Sequence, residues 1–488
     1  MLDSTGGSGE RGSGGRVAAA VVYSPGMEFG HVHGDGDRFE QLLQQAGERV
    51  RTFLKELENA PAMTTADPEN LRELFGTPPG EQPRPAQELL DLAFEAAGTG
   101  VETAGPRFFG YIPGGGVPTS AVGELIARTV NRYTDMADLA PGLVALEDGL
   151  VRWLASVFGL PAGAGGLLTT GGSQAMLSMV LAARERHLGE ELGHGRIYLS
   201  DQAHHSVRKA ARIAGFPARS IRPIPTVDGR RIDPAAAAEA IVEDRAQGLR
   251  PFLLVGTAGT TNAGVVDPLG ELADLAAMHG LWFHVDGCYG GFFRLTTRGH
   301  HRLRGIERAD SVSLDPHKSL FLPYGTGALL VRDQAALHAA HGEDDPGDYM
   351  QDLATGTLPD YAAMSTELTR EHRGLRLWLP LHLHGLDTFR AALDEKLDLA
   401  AHAHEVLAAE PALYVPEPPE LSTVVFRLRA GDDAANRAFL ERINASQRAF
   451  LSSTRLDGTF TLRLCILSHR THREHVDEAL EIIRSALP

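Results

Sequence analysis

From about residue 100 to residue 385, short apolar runs alternate with stretches whose apolar residues recur at helical spacing. The runs at 196–199, 252–256, 282–285, 311–314 and 328–331 predict strands. Between them, 173–187, 207–214, 234–247 and 269–279 predict helices. Strands that are apolar throughout, each followed by a helix, imply an α/β fold with a mostly parallel sheet covered by helices on both faces. Active sites in such sheets gather at the C-terminal ends of the strands.

The rhythm changes at either side of this region. Helical spacing at 38–58 and 86–97, with Pro78, Pro79, Pro83 and Pro85 between, predicts an N-terminal helical arm over 38–95. After Trp378 come a helix at 389–407, a strand at 422–428, a helix at 433–445, strands near 449–453 and 459–467, and a final helix at 473–487. That is a small α+β domain. The expected organisation is a flexible tail over 1–37, the arm over 38–95, a large domain over 96–385 and the small domain over 386–488.

Composition narrows the class. With 488 residues, 43% of them hydrophobic and 22% charged, the chain is globular and long enough for a large core. A net charge of −17 argues against nucleic acid and anionic membrane as partners. No apolar window reaches the length of about 18 residues that a membrane helix needs. The Gly- and Ser-rich start lacks the layout of a signal peptide. Cys288 and Cys465 are far apart and show no metal-ligand spacing, so reduced thiols and a cytoplasmic location are expected. His31, His33, Asp35 and Asp37 read as part of a solvated tail, and no metal site is expected.

The candidate chemistry follows the apolar runs. Asp286 ends one in His284-Val285-Asp286-Gly287-Cys288, and Lys318 follows the next in Asp315-Pro316-His317-Lys318-Ser319. A lysine that can form an imine and a carboxylate that can hold a pyridinium are what pyridoxal 5'-phosphate needs from its protein. A closed site would lower the pKa of Lys318 and leave a free amine. Gly171-Gly172-Ser173 precedes a strong helix, where close backbone approach, amide N–H groups and the helix dipole favour a phosphate. The alternative is a plain turn with an N-cap. His204 in Asp201-Gln202-Ala203-His204-His205 can stack on a pyridine ring or cap the next helix. The hydroxyls of Thr260 and Thr261, after another apolar run, can contact the cofactor or support Asp286.

The ordered set resembles the group II pyridoxal-phosphate decarboxylases, the family of aromatic amino acid, histidine and glutamate decarboxylases. The matching pieces are Pro106-Arg107-Phe108-Phe109-Gly110-Tyr111, Leu146-Glu147 to Trp153-Leu154, Gly171-Gly172-Ser173, Asp201-Gln202-Ala203-His204, Ala258-Gly259-Thr260-Thr261, His284-Val285-Asp286, His317-Lys318 and Leu462-Arg463-Leu464. The resemblance implies the fold-type I, aminotransferase-like architecture and a homodimer with both active sites at the interface. It implies that Lys318 forms the internal imine, Asp286 binds the ring nitrogen, His204 stacks on the ring, and Gly172 and Ser173 hold the phosphate, with Thr261 and His317 beside the cofactor. It places Tyr111, Pro113, Gly114 and Arg370 near the substrate. It also offers Tyr361, in a polar stretch over 341–366 and supplied by the partner chain, as the flap tyrosine that protonates Cα after CO2 leaves.

The expected activity is decarboxylation of an L-amino acid or amino-acid-like group to an amine and CO2. Ser319, Met176, Cys288 and the glycine-rich 112–116 segment depart from the family's usual residues, tryptophan, asparagine and alanine at the first three. They keep open a C–S lyase or an oxidative decarboxylase–deaminase, and, of another class, a silent cofactor-binding interaction protein.

Overall fold

The computed structural model describes residues 36–342 and 356–488. The tail residues His31, His33 and Asp35, and residues 343–355 of the polar stretch, lie outside the described residues. Asp37 lies in the first turn of the helix Gly36–Glu56.

Seven strands build the central sheet: β1 (Gly165–Thr169), β2 (Gly195–Ser200), β3 (Ile221–Ile224), β4 (Arg250–Thr257), β5 (Trp282–Asp286), β6 (Ser311–Leu314) and β7 (Gly327–Val331). Their order is β1-β7-β6-β5-β4-β2-β3. Strands β6, β5, β4, β2 and β3 run parallel, and β7 runs antiparallel to both its neighbours, β6 and β1. All residues of β1, β5, β6 and β7 are buried, as a sheet covered on both faces requires.

Side-chain alternation divides these strands between two cores. Leu168, Tyr198, Leu254, Phe283 and Leu330 enter one, and Leu167, Ile197, Leu253, Trp282 and Leu329 enter the other. The helices Pro141–Val157 and Leu269–His279 supply Leu154 and Leu272 to the first core. The helices Gly172–His187 and His205–Ile213 supply Met176 and Val207 to the second. This is the fold-type I α/β architecture anticipated above.

A second sheet is antiparallel, in the order Leu413–Tyr414, Thr423–Leu428, Thr459–Cys465, Ser452–Leu456. Phe426 and Leu462 from this sheet pack with Phe439 and Ile483 from the helices Asp433–Ala445 and Arg473–Ser485. Leu421, Cys465 and Leu467 join the first core of the large sheet. Both sheets therefore share one compact unit, Glu56–Thr65 with Thr99–Pro488. The other unit runs to Lys55 and includes Ala66–Gly98. Its helix Pro68–Phe75 starts as an Asp-Pro sequence does, with Asp67 accepting from Glu69 N at 3.0 Å and proline in the first turn. Within that unit Phe53 and Phe94 pack with ring centroids 6.3 Å apart. Among the described residues no helix is long and apolar enough to cross a membrane.

Candidate active site

The parallel strands bring their C-terminal ends to one edge of the sheet, and the loops that leave them enclose a cavity of about 370 Å3. Gly172, Ser173, His204, Thr261, Asp286, His317 and Lys318 all line it. Asp286 is the last residue of β5. Lys318 rides on the single turn Pro316–Ser319 after β6, a turn started by proline in the N-terminal position.

Lys318 Nζ is 2.9 Å from Asp315 Oδ2. Burial opposes the charge on this amine, but the Asp315 carboxylate outweighs it and holds the lysine above its ordinary range. The lowered pKa anticipated for Lys318 is thus corrected: the neighbouring carboxylate reverses the effect of enclosure. The other oxygen of Asp315 accepts from Gly172 N at 2.7 Å. His317 donates from Nδ1 to the Thr326 carbonyl at 2.7 Å, and burial lowers its pKa.

Asp286 is buried and accepts on Oδ1 from Cys288 N at 3.1 Å and from Ser313 Oγ at 3.4 Å. Behind it runs a directional series of hydrogen bonds. Trp282 Nε1 donates to Ser311 Oγ at 2.8 Å, and Ser311 Oγ meets His284 Nδ1 at 2.8 Å. His284 Nε2 meets Ser313 Oγ at 3.2 Å. Burial pushes His284 down to about 4, so the imidazole is neutral. With Ser313 donating to Asp286, the Nε2 tautomer of His284 carries the hydrogen. Burial, then the Asp286 charge, raises the Cys288 thiol well above its ordinary range and keeps it neutral.

His204 is both a cap and a pocket residue. Its Nδ1 accepts from Ser206 N at 3.3 Å at the start of the helix His205–Ile213, while its ring lines the cavity. Burial lowers its pKa, which favours the neutral ring that stacking on a heterocycle needs. Asp267, just after the Thr260-Thr261 turn, is buried. Its carboxylate accepts from Thr257 N at 2.8 Å and Ile232 N at 2.9 Å, and so pins the end of β4.

The glycine-rich segment sits beside the pocket rather than in its lining. A Cβ at Gly114 would collide with the His317 carbonyl, so only glycine lets this segment pass behind the lysine turn. Pro113 is buried there, and Tyr111 is 64% exposed with φ +48°. The Tyr111 carbonyl accepts from Arg463 Nη2 at 3.1 Å. Arg463 also donates to Asn262 O at 3.0 Å, to Ser452 Oγ at 2.9 Å and to Thr261 O. One buried guanidinium thereby ties the Thr261 loop to the small sheet.

Tyr361 and Arg370 lie elsewhere. Tyr361, in the short helix Tyr361–Met364, is fully buried in the second core. Its hydroxyl has no hydrogen-bond partner among the described residues, and burial raises its pKa well above the ordinary range. Within its own chain Tyr361 therefore packs in this core and does not line the cavity that holds Lys318. Tyr349, the other tyrosine of the polar stretch, lies outside the described residues. The Arg370 guanidinium stands 4.6 Å over the Tyr361 ring and donates to Glu147 Oε1 at 2.7 Å and Leu168 O at 2.8 Å. Arg370 therefore braces β1, the strand that leads into Gly171-Gly172, and contacts no pocket-lining group.

Sequence reasoning passed over Asp315, Ser313 and His284. Asp315 opens the very run that carries Lys318, and a carboxylate three residues before a lysine on one turn was the signal available. The other two sit inside strands, where polar residues in an apolar run were the clue.

The arrangement fits pyridoxal phosphate. It offers an anion-binding helix start at Gly172, where a Cβ would strike Cys288 Sγ, a lysine across the cavity and a hydrogen-bonded buried carboxylate.

Comparison with known proteins agrees. The model of the pyridoxal-dependent decarboxylase conserved domain matches residues 68–429. An aromatic-L-amino-acid decarboxylase from Bacillus atrophaeus is 31% identical over 459 residues, covering 92% of this chain and 95% of that protein. The crystal structure of Oryza sativa TDC with PLP and tryptamine superposes with a TM-score of 0.88 at 29% identity, covering 93% of this chain and 98% of the other. A Rhodiola rosea 4-hydroxyphenylacetaldehyde synthase gives a TM-score of 0.86 at 25% identity, over 93% and 98%.

Proposed function

Because this chain belongs to the pyridoxal-dependent decarboxylase family, and so is a pyridoxal-phosphate-dependent carboxy-lyase acting on an amino acid, we propose that its substrate is an aromatic L-amino acid. Support comes from the relatives, which are named for aromatic amino acids, tryptophan and tyrosine and align over nine-tenths of the chain.

Bound in the cavity, pyridoxal phosphate supplies a ring that accepts the electrons of the bond broken at Cα. The chain's residues do the rest. Gly172 and Ser173 hold the phosphate at the helix start. Asp286 would hold the proton of the ring nitrogen, and the neutral His204 would support the ring from the cavity wall. Lys318 would hold the cofactor at its aldehyde. Thr261 and His317 close the walls. The observation that carries this reading is the convergence of Lys318, Asp286, His204 and Gly172 on one cavity.

We propose further a homodimer with the sites at its interface. The three helices Gly36–Glu56, Pro68–Phe75 and Ala86–Ala97 bury none of their residues, and Phe39, Leu43, Val50 and Leu89 stand exposed on them. Val122, Leu125, Ile126 and Val130 form another exposed apolar stripe on the helix Pro118–Val130. A second copy would cover such surfaces. A cytoplasmic setting suits the two buried, free cysteines.

The test is to supply pyridoxal phosphate and a panel of L-tryptophan, L-tyrosine, L-phenylalanine, L-histidine and L-glutamate, with products followed by mass spectrometry. The matching aromatic amine with CO2 is the expected result. An aldehyde with hydrogen peroxide, or a released thiol, would overturn simple decarboxylation. Sedimentation should give twice the chain mass.

A further inference from the structure

The start of the helix Gly172–His187 should receive an anion, and in this protein it already holds one. Asp315 Oδ1 takes the Gly172 N–H at 2.7 Å. Its other oxygen takes Lys318 Nζ at 2.9 Å and lies 3.7 Å from His317 Nε2. The carboxylate is almost wholly buried, its side chain 4% exposed, so its charge is answered by these neighbours rather than by water. Cβ atoms placed on Gly171 and Gly172 would lie 3.8 and 3.2 Å from its two oxygens, which puts the carboxylate within the glycine turn itself.

One side chain thus engages both groups that the cofactor requires. The phosphate needs the amide at the helix start, and a carboxylate hydrogen-bonded there presents like charge to it. The aldehyde needs Lys318 as a free amine. Bond formation between Nζ and the aldehyde carbon expels one water, and the ammonium must first give a proton to solvent. An ion pair with Asp315 opposes that loss.

We propose that Asp315 is a resident counter-anion of the cofactor site, a positioning residue that sets how tightly and how fast pyridoxal phosphate is captured. It bridges Gly172 and Lys318. Cofactor entry must displace it from both. The enzyme then holds its cofactor less tightly, and exchanges it more readily, than a site with a neutral residue at this position. This inference rests on the reading that Lys318 and Gly172 hold the cofactor.

The experiment compares wild-type protein with Asp315→Asn, which keeps size and removes charge, and with Asp315→Ser as a smaller neutral variant should the first fail to fold. Cofactor-free protein is titrated with pyridoxal phosphate and, separately, with inorganic phosphate as a probe of the helix start alone. Cofactor loss on dilution is timed by absorbance, and melting temperature reports the fold. The neutral variants should bind pyridoxal phosphate at least tenfold more tightly, lose it more slowly and bind inorganic phosphate more tightly. Folded neutral variants with wild-type or weaker affinity overturn the inference. Borohydride reduction of wild-type protein followed by proteolysis separates the two levels. A label on Lys318 leaves the reading intact whatever the variants do, whereas a label on another lysine overturns both the reading and the inference.

Discussion

The imidazole of His284 reaches the carboxylate of Asp286 through a single hydroxyl, that of Ser313, with contacts of 3.2 and 3.4 Å. The two residues stand two apart on β5 and so face the same side of the sheet, where one neutral ring orients the hydroxyl from which Asp286 accepts. Replacing Ser313 with alanine leaves Asp286 with the Cys288 amide as its remaining donor and unpairs His284 Nε2 in the core. An unsatisfied buried group costs about 1–3 kcal/mol. Ser313→Ala should lower kcat roughly tenfold with little change in KM and shift the visible band of the bound cofactor, read by steady-state kinetics and absorbance.

Tyr361→Phe should be nearly silent. The hydroxyl is buried with no partner among the described residues, so removing it takes away a desolvated polar group and no contact. Amine production should stay within about twofold of wild type and the melting temperature should hold or rise. A hundredfold loss of amine, or a switch to aldehyde, would restore Tyr361 as the proton donor.

Arg370→Met should act on stability before chemistry. The side chains of Arg370 and Glu147 are both fully buried, and methionine would leave the Glu147 carboxylate without its guanidinium, with the Leu168 amide at 3.2 Å and His372 Nδ1 at 3.7 Å as its neighbours. Breaking one side of such a pair costs about 3–5 kcal/mol. Denaturant unfolding should show a loss of that order, and the double variant Arg370→Met with Glu147→Leu should recover most of it.

Asp267 gives a pH signature. Burial raises this carboxyl to about 6, against an ordinary value of 3.8, despite two backbone donors. A raised acid favours the protonated folded state, so its stabilisation is complete below about pH 4 and is lost as pH rises through about 6. Asp135, also raised to about 6, adds to the same slope. Asp267→Asn should flatten the fall in unfolding free energy between pH 4 and 6 by roughly 2–3 kcal/mol, measured by urea titrations across that range. An unchanged slope would mean that Asp267 does not titrate there.

Much of the fold was legible because each element obeys a local rule. Residues 311–314 and 269–279 form the expected strand and helix without a shift of end. The strand at 282–285 gains Asp286, and the helix at 173–187 gains Gly172. Strand β1 was missed because Gly165 and Gly166 weaken a short apolar run that only pairing with β7 completes. Lys318, Asp286, His204 and Gly172 line one cavity because each follows an apolar run, and parallel strands deliver their ends to one edge.

What the sequence determined by itself is therefore what periodicity and turn chemistry encode: which segments are strands or helices, which faces are apolar, and which reactive residues end the strands. Only the tertiary structure decided which of these meet. Asp315 touches Gly172, distant in the chain, because β7 pairs with both β1 and β6 and so brings the turns that follow those two strands together. Arg370 finds Glu147 and Leu168, and Tyr361 goes into the core, by the same kind of long-range closure. Local spacing carries no information about such partners, since they depend on strand order and on which buried charge must be neutralised once water is excluded.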